Sequence, residues 1–200
     1  MNYFDYFQII TLIIFLLIFF GRSIWLARKG TVVFRLGSGK KGLSAFLEKS
    51  FLIFFPLWLF EIFIDSLHID LQFLTSVMVD PIISNQFVRL VGAVMICIGI
   101  LVFSLALISF KSSWRVGIDT VAPGGLITTG IFSLSRNPIF LSMNLYFLGT
   151  FLIYSNPFFL LSFICIAFGF HFQIRHEETF LLQEYGNGYS NYMTQVRRYI

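Results

Sequence analysis

Five apolar runs, Tyr6–Phe20, Phe51–Ile64, Val88–Phe110, Ile139–Tyr154 and Pro157–Ile174, decide what this chain can fold into. A helix of about 20 apolar residues crosses the ~30 Å hydrocarbon layer of a bilayer. Backbone surrounded by lipid must also satisfy its own hydrogen bonds, which an α-helix does within one segment. The runs predict an all-α integral membrane protein with about five transmembrane helices. Composition agrees, since only 12% of the residues are charged against about 25% in soluble domains, and mean hydropathy is +0.83. Too few charges remain to cover a surface in water. The first run has no basic segment before it, and Gly21-Arg22 rather than a small-residue cleavage site follows, so it reads as a retained helix, not a signal peptide.

Charge placement orients the helices. Residues 22–41 hold Arg22, Arg28, Lys29, Arg35, Lys40 and Lys41 and no acid. Such a cluster can attract nucleic acid, but beside a membrane helix it is a topology signal and a contact for anionic lipid headgroups. It predicts a cytoplasmic loop, a multi-pass protein with its N-terminus outside and its C-terminus cytoplasmic, and the inner membrane as its place in a bacterium. Residues 66–86, with Asp70 and Asp80 and no Lys or Arg, would face out; residues 111–136, with three bases and one acid, would face in. Asn156-Pro157 reads as a tight turn, making the last two spans a helical hairpin that brings the Arg136 end of one beside the Arg175 end of the other. The chain then divides into an N-terminal three-helix region, 1–110, and a segment 111–200 of inner loop, hairpin and tail, together one structural unit. Cys97 and Cys165 are expected as buried free thiols. Gly92 and Gly99 form no GxxxG pair that would argue for helix dimerisation.

Polar side chains gather in two places. The first is "GGLITTGIFSLSRNPIF", with Gly124, Gly125 and Gly130 followed by Arg136, Asn137 and Pro138. Glycines let backbone approach a ligand closely, but Gly and Pro also punctuate ordinary loops, and Pro suits the first turn of a helix. The second is "IRHEETFLLQEYGNGYSNYMTQVRRYI", where Phe180, Leu181, Leu182 and Tyr185 recur at helical spacing and predict an amphipathic helix at the membrane interface. Glu177 and Glu178 suit either a solvated helix start or a ligand-binding pair. His171 and His176, five apart with no HExxH and no nearby cysteine, argue against a metal site. Glu61 and Asp65 lie near the outer interface, where Arg89 can pair with one of them, so a structural role outweighs a functional one. No GxSxG, P-loop or Rossmann glycine motif is present.

From Leu126 to Pro157, and again through "RHEETFLLQEYGNGYSNYMTQVRR", the chain resembles the isoprenylcysteine carboxyl methyltransferase and phospholipid methyltransferase superfamily of integral membrane enzymes. The residues that carry this are Gly130-Ile131-Phe132, Arg136-Asn137-Pro138-Ile139-Phe140, Glu177-Glu178, Leu181, Tyr185-Gly186, Tyr189, Tyr192 and Val196. Residues 1 to about 110 add only helices of compatible number. The resemblance implies methyl transfer from S-adenosylmethionine at a cytoplasmic membrane-face site. It implies cofactor-binding roles for Gly130, Arg136, Asn137, Pro138, Leu141, Glu177, Glu178, Leu181 and Tyr185; Arg136, Asn137 and Arg175 are the candidate catalytic residues, Arg136 or Arg175 because a guanidinium can orient an acceptor carboxylate through a bidentate contact. It further implies a lipophilic or lipidated acceptor entering from the bilayer, isoprenylcysteine carboxylate-like or phospholipid-like, with membrane lipids as neighbours and neither nucleic acid nor metal as partner. Many members have His where this chain has Asn137; Asn hydrogen-bonds but does not titrate near pH 7, which weakens any role as a base and favours an acceptor already ionised. Related scaffolds also carry nicotinamide-dependent sterol reductases, and fold alone does not exclude a reductase or a non-enzymatic lipid- or partner-binding protein.

Overall fold

A computed structural model describes residues 2–33, 43–69, 78, 80–111, 114 and 125–200. Among these there are six helices and no strand: α1 (Tyr3–Arg28), α2 (Leu43–Leu67), α3 (Gln86–Phe110), α4 (Pro138–Tyr154), α5 (Pro157–Tyr185) and α6 (Asn187–Gln195), with a 3₁₀ turn at Gly130–Ser133. Four of them, α1, α2, α3 and α5, are long and apolar enough to cross a bilayer. The fifth expected span, α4, has 17 residues, ~26 Å at 1.5 Å per residue, the lower limit for crossing.

Sequence-local signals start these helices. Asn2 and Asp5 form a reciprocal cap on α1, with Asn2 Oδ1 accepting from Phe4 N at 2.9 Å and Asp5 Oδ2 accepting from Asn2 N at 2.6 Å. Asn85 caps α3 through Phe87 N at 2.8 Å, and Asn156 caps α5 through Phe159 N at 2.9 Å. Pro138 and Pro157 occupy first-turn positions where no N–H is needed. Ser155 in the left-handed region ends α4, so the expected hairpin turn consists of Ser155 and Asn156.

Contacts at the helix ends show that α1 to α5 alternate in direction. At one face His68 Nε2 lies 2.9 Å from Asp5 Oδ2, Asn156 Nδ2 donates to Asp65 Oδ2 at 3.0 Å, and Ile82 N donates to Ser155 O at 2.7 Å. At the other, Arg22 Nη2 donates to Leu107 O at 3.2 Å and also to Lys111 O, closing the C-terminal end of α3.

Between the faces, α3 and α4 approach until their backbones touch. A Cβ added at Gly149 would stand 2.6 Å from Gly92 O, and one at Gly99 would stand 2.9 Å from Ser142 O. Gly92 and Gly99 thus serve a helix contact inside the chain, one that small residues allow without a GxxxG spacing. An aromatic core fills the rest, with Trp58 4.1 Å from Phe147 and Phe15 4.8 Å from Phe103 between ring centroids. The outward faces are apolar as well: Leu17, Phe87, Ile108 and Phe168 are all exposed, a surface that lipid rather than water suits.

Several expectations are corrected. Arg22 and Arg28 belong to the last turns of α1 rather than to a loop, because a helix continues beyond the hydrocarbon wherever its residues still favour it. For the same reason α5 runs unbroken through residues 175–185; the expected separate interfacial helix is its projecting end. At 29 residues α5 is ~43 Å long, well beyond the hydrocarbon thickness. Cys97 and Cys165 are free but exposed, on faces where a weakly polar thiol meets no penalty from lipid. Arg89 lies over the Phe4 ring, 5.9 Å from its centroid, while Asp65 takes its hydrogen bond from Asn156. Arg35, Lys40, Lys41, Asp70 and Gly124 fall outside the described residues.

Candidate functional site

The hairpin sets the N-terminal end of α4 beside the far half of α5, and three charged side chains meet there. Arg136 Nη2 stands 3.0 Å from Glu178 Oε1, with side chains only 7% and 5% exposed. From the other side Arg198 directs Nε, at 3.0 Å, and Nη2, at 2.7 Å, to Glu178 Oε2. Arg198 reaches this position because Val196 leaves α6 in an extended conformation and the segment after it lies across the Arg136 loop. Arg136 N donates to Arg197 O at 3.1 Å. Asn137 Nδ2 at 3.1 Å and Ser135 Oγ at 3.4 Å both donate to Arg198 O. Further along, Tyr199 OH and His171 Nδ1 are 3.1 Å apart. Tyr192 OH donates to Phe132 O at 2.5 Å, tying α6 to the 3₁₀ turn.

Two guanidinium groups surround the Glu178 carboxylate without using it up. Arg136 and Glu178 are close enough to be an ion pair, but the Arg136 N–H is not aligned on Oε1. Arg136 Nε, Arg136 Nη1 and Glu178 Oε1 are buried without a hydrogen-bond partner. Each unmatched buried polar atom costs about 1–3 kcal/mol, so a cluster of them calls for a partner such as water or a ligand. Two free donors on a cation next to a free acceptor on an anion complement a carboxylate and an ammonium held side by side. That is the arrangement in the amino-acid end of S-adenosylmethionine, so the residues fit the group. Electrostatics follow the same grouping. Burial, with Glu178 adding to it and Arg136 opposing, raises the Tyr189 phenol above its usual range. Burial also raises Tyr192 from 10.0 to about 12, and the hydrogen bonds to Glu178 push the Arg198 guanidinium up.

Of the residues singled out in the sequence, Arg136, Asn137, Pro138 and Glu178 come together. Leu141 on α4 and Leu181 and Tyr185 on α5 are half-buried. Glu177, also half-buried, accepts from Gln173 Nε2 at 3.1 Å, one turn away on its own helix. Gly130 has a φ of +66°, and a Cβ there would meet Ser109 Oγ at 2.5 Å, so its glycine is required by the backbone and by packing on α3. Arg175 is exposed, one turn before Glu178. Sequence reasoning did not single out Arg198, Ser135 or Tyr199. The signal available was the basic pair in "VRRYI", whose role appears only once the chain folds back on Glu178.

A family model described as phospholipid methyltransferase matches residues 87–188, from α3 to the start of α6. The chain is also similar to proteins named "Probable protein-S-isoprenylcysteine O-methyltransferase" from Oryza sativa subsp. indica and subsp. japonica. Each is 30% identical over 130 residues, covering 63% of this chain and 68% of the relative. To "Protein-S-isoprenylcysteine O-methyltransferase A" of Arabidopsis thaliana it is 28% identical over 130 residues, 63% of this chain and 66% of that one. The family match contains α4, α5, Arg136 and Glu178 and covers more than half of the chain; this membrane protein belongs to the phospholipid methyltransferase family.

Proposed function

We propose that the protein is an S-adenosylmethionine-dependent methyltransferase. Its acceptor is lipophilic or lipid-anchored, isoprenylcysteine carboxylate-like or phospholipid-like, and is methylated at the cytoplasmic membrane face. The observation that carries this reading is the buried Arg136–Glu178 cluster, with two donors and one acceptor left free. Arg136 Nε and Nη1 would hold the carboxylate of the cofactor, and Glu178 Oε1 its ammonium. Gly130 and Pro138 would form one wall, and Leu141, Leu181 and Tyr185 the apolar surface beside it, with Glu177 at its edge. When bound, S-adenosylmethionine supplies a methyl group on a positively charged sulfur that leaves readily. The protein's part is alignment and exclusion of water, which together account for much of the acceleration in such displacements.

Asn137 acts on structure rather than on protons. Its Nδ2 is engaged with Arg198 O, and an amide does not titrate near pH 7. A carboxylate acceptor, already ionised, therefore suits this site better than an ammonium. With Arg136 directed to the cofactor, the exposed guanidinium of Arg175 is the group to orient an acceptor carboxylate. The relatives named for isoprenylcysteine O-methylation support the same choice. The acceptor's tail would remain in the bilayer while its head reaches the ends of α4 and α5. Arg22, Arg28, Lys29, Arg136, Arg175, Arg197 and Arg198 all belong to that end of the bundle, which supports a cytoplasmic site by the positive-inside rule.

Incubating the detergent-purified protein with methyl-labelled S-adenosylmethionine and membrane lipid extract should transfer label to a lipid-soluble product. Absence of S-adenosylmethionine binding at millimolar concentration would sink the reading.

A further inference from the structure

Arg198 lies beyond the residues matched by the family, yet it makes the shortest contact to the central carboxylate. Both of its hydrogen bonds, from Nε and Nη2, end on one oxygen, Glu178 Oε2. An arginine facing a carboxylate ordinarily closes into a fork, with two parallel bonds to the two oxygens. Arg136 and Glu178, buried and 3.0 Å apart, are placed to do that and do not. A fork between them would consume the donors and the acceptor that stand free. Arg198 stands against it by occupying Oε2, while Oε1, 3.0 Å from Arg136 Nη2, accepts no hydrogen bond.

Its own position is secured independently of Glu178. The backbone of Arg197 and Arg198 takes hydrogen bonds from Arg136 N, Asn137 Nδ2 and Ser135 Oγ, and Tyr199 OH meets His171. The loop that carries Arg136 therefore also holds the segment that carries Arg198, and the spacing of the two cations about Glu178 is set by one hydrogen-bonded unit.

We propose that Arg198 is a positioning residue of the methyl-donor site: it holds Glu178 Oε2 so that Oε1 faces the ammonium of the donor and Arg136 stays free for the donor's carboxylate. This rests on the function proposed above. Without Arg198, the Arg136–Glu178 pair closes into a fork, and the site loses recognition of the amino-acid end while the fold keeps its buried ion pair.

The test compares S-adenosylhomocysteine with its analogue lacking the α-amino group, measured by calorimetry on the full chain in detergent. Wild type, Arg198→Lys and Arg198→Ala are used, with thermal unfolding recorded for each. Wild type should prefer the amino-bearing compound by about 10- to 100-fold, the range for a hydrogen bond to a charged group. Arg198→Ala should reduce that preference by about 10-fold or more, and Arg198→Lys should restore part of it. Because the side chain is 34% exposed, the alanine variant is expected to fold. An unchanged preference in Arg198→Ala overturns the positioning role and leaves the methyltransferase reading standing. Equal weakening of both compounds together with a lowered unfolding temperature overturns it too, since that is a merely structural effect. If wild type binds neither S-adenosylmethionine nor S-adenosylhomocysteine, the proposed function itself fails, and the role of Arg198 with it.

Discussion

Arg136 carries its charge into a place where most of its N–H groups have no partner in the protein, and such an arginine is replaceable only by a group that does the same. Lysine keeps the charge but offers a compact ammonium in place of a planar fork. Arg136→Lys should therefore weaken S-adenosylmethionine binding by about 10- to 100-fold, the loss of a hydrogen bond to a charged group. Direct titration in detergent checks this, and an affinity within twofold of wild type would remove Arg136 from the donor site. Tyr192 gives a second residue-level expectation. Its folded pKa, about 12, lies above the usual 10.0; the stability it contributes is complete below pH 10 and is lost as pH rises towards 12. The α6 contact to Phe132 O should loosen in that window. Tyr192→Phe should lose about 1 kcal/mol at pH 7 and become less sensitive to alkali, as read from unfolding curves at pH 8 and pH 11. Arg136 and Glu178 were legible beforehand because charges flanking apolar runs must collect at helix ends, and a hairpin pairs those ends. Arg198 was not, since in "VRRYI" nothing in the spacing tells which base turns back. The Asn137 departure has become intelligible: what that position supplies here is an N–H for Arg198 O, which an amide provides as well as an imidazole does.

Among the elements, α3 and α4 form the contact with the least tolerance. An extra methyl at Gly149 would stand 2.6 Å from both Gly92 O and Ile96 Cγ1, and one of these neighbours is backbone. Gly149→Ala should cost about 1–3 kcal/mol, the usual range for overpacking, by moving α4 off α3 without unwinding either. Thermal unfolding should shift down while helical circular dichroism holds. Element existence was readable because apolar runs near 20 residues have few alternatives in a bilayer, and Asn156-Pro157 specified the hairpin through backbone restriction alone. Element ends were less readable. The polar run Arg175-His176-Glu177-Glu178 resembles the end of a span, yet those residues only mark where α5 leaves hydrocarbon. Hydropathy reports solvent, whereas the backbone continues as long as its residues favour a helix.

At the scale of the whole molecule, most cations collect at one end of the bundle, with Arg89 at the other. Asp5, Glu61, Asp65 and Asp80 belong to the Arg89 end, and Arg22, Lys29, Arg136, Arg175 and Arg198 to the cationic one. Lys29→Cys and Arg175→Cys, each in a background lacking Cys97 and Cys165, should be labelled by an impermeant maleimide from the same side of oriented vesicles. Asp80→Cys should be labelled from the opposite side. Labelling of all three from one side would be incompatible with alternating helices. The turn at Ser155 and Asn156 has a wider consequence. It makes α4 and α5 a gauge whose two jaws, Arg136 and Glu178, meet only if the residues between them are correctly numbered. One residue inserted within α4 advances its start by ~1.5 Å and rotates it by ~100°, so Arg136 no longer faces its partner. Descendants of this chain can exchange lipid-facing side chains such as Leu161 and Phe168 with little effect, but they cannot change the count. An alanine inserted after Phe147 should abolish donor binding in a titration, while one inserted between Leu126 and Ile127, ahead of the gauge, should preserve it.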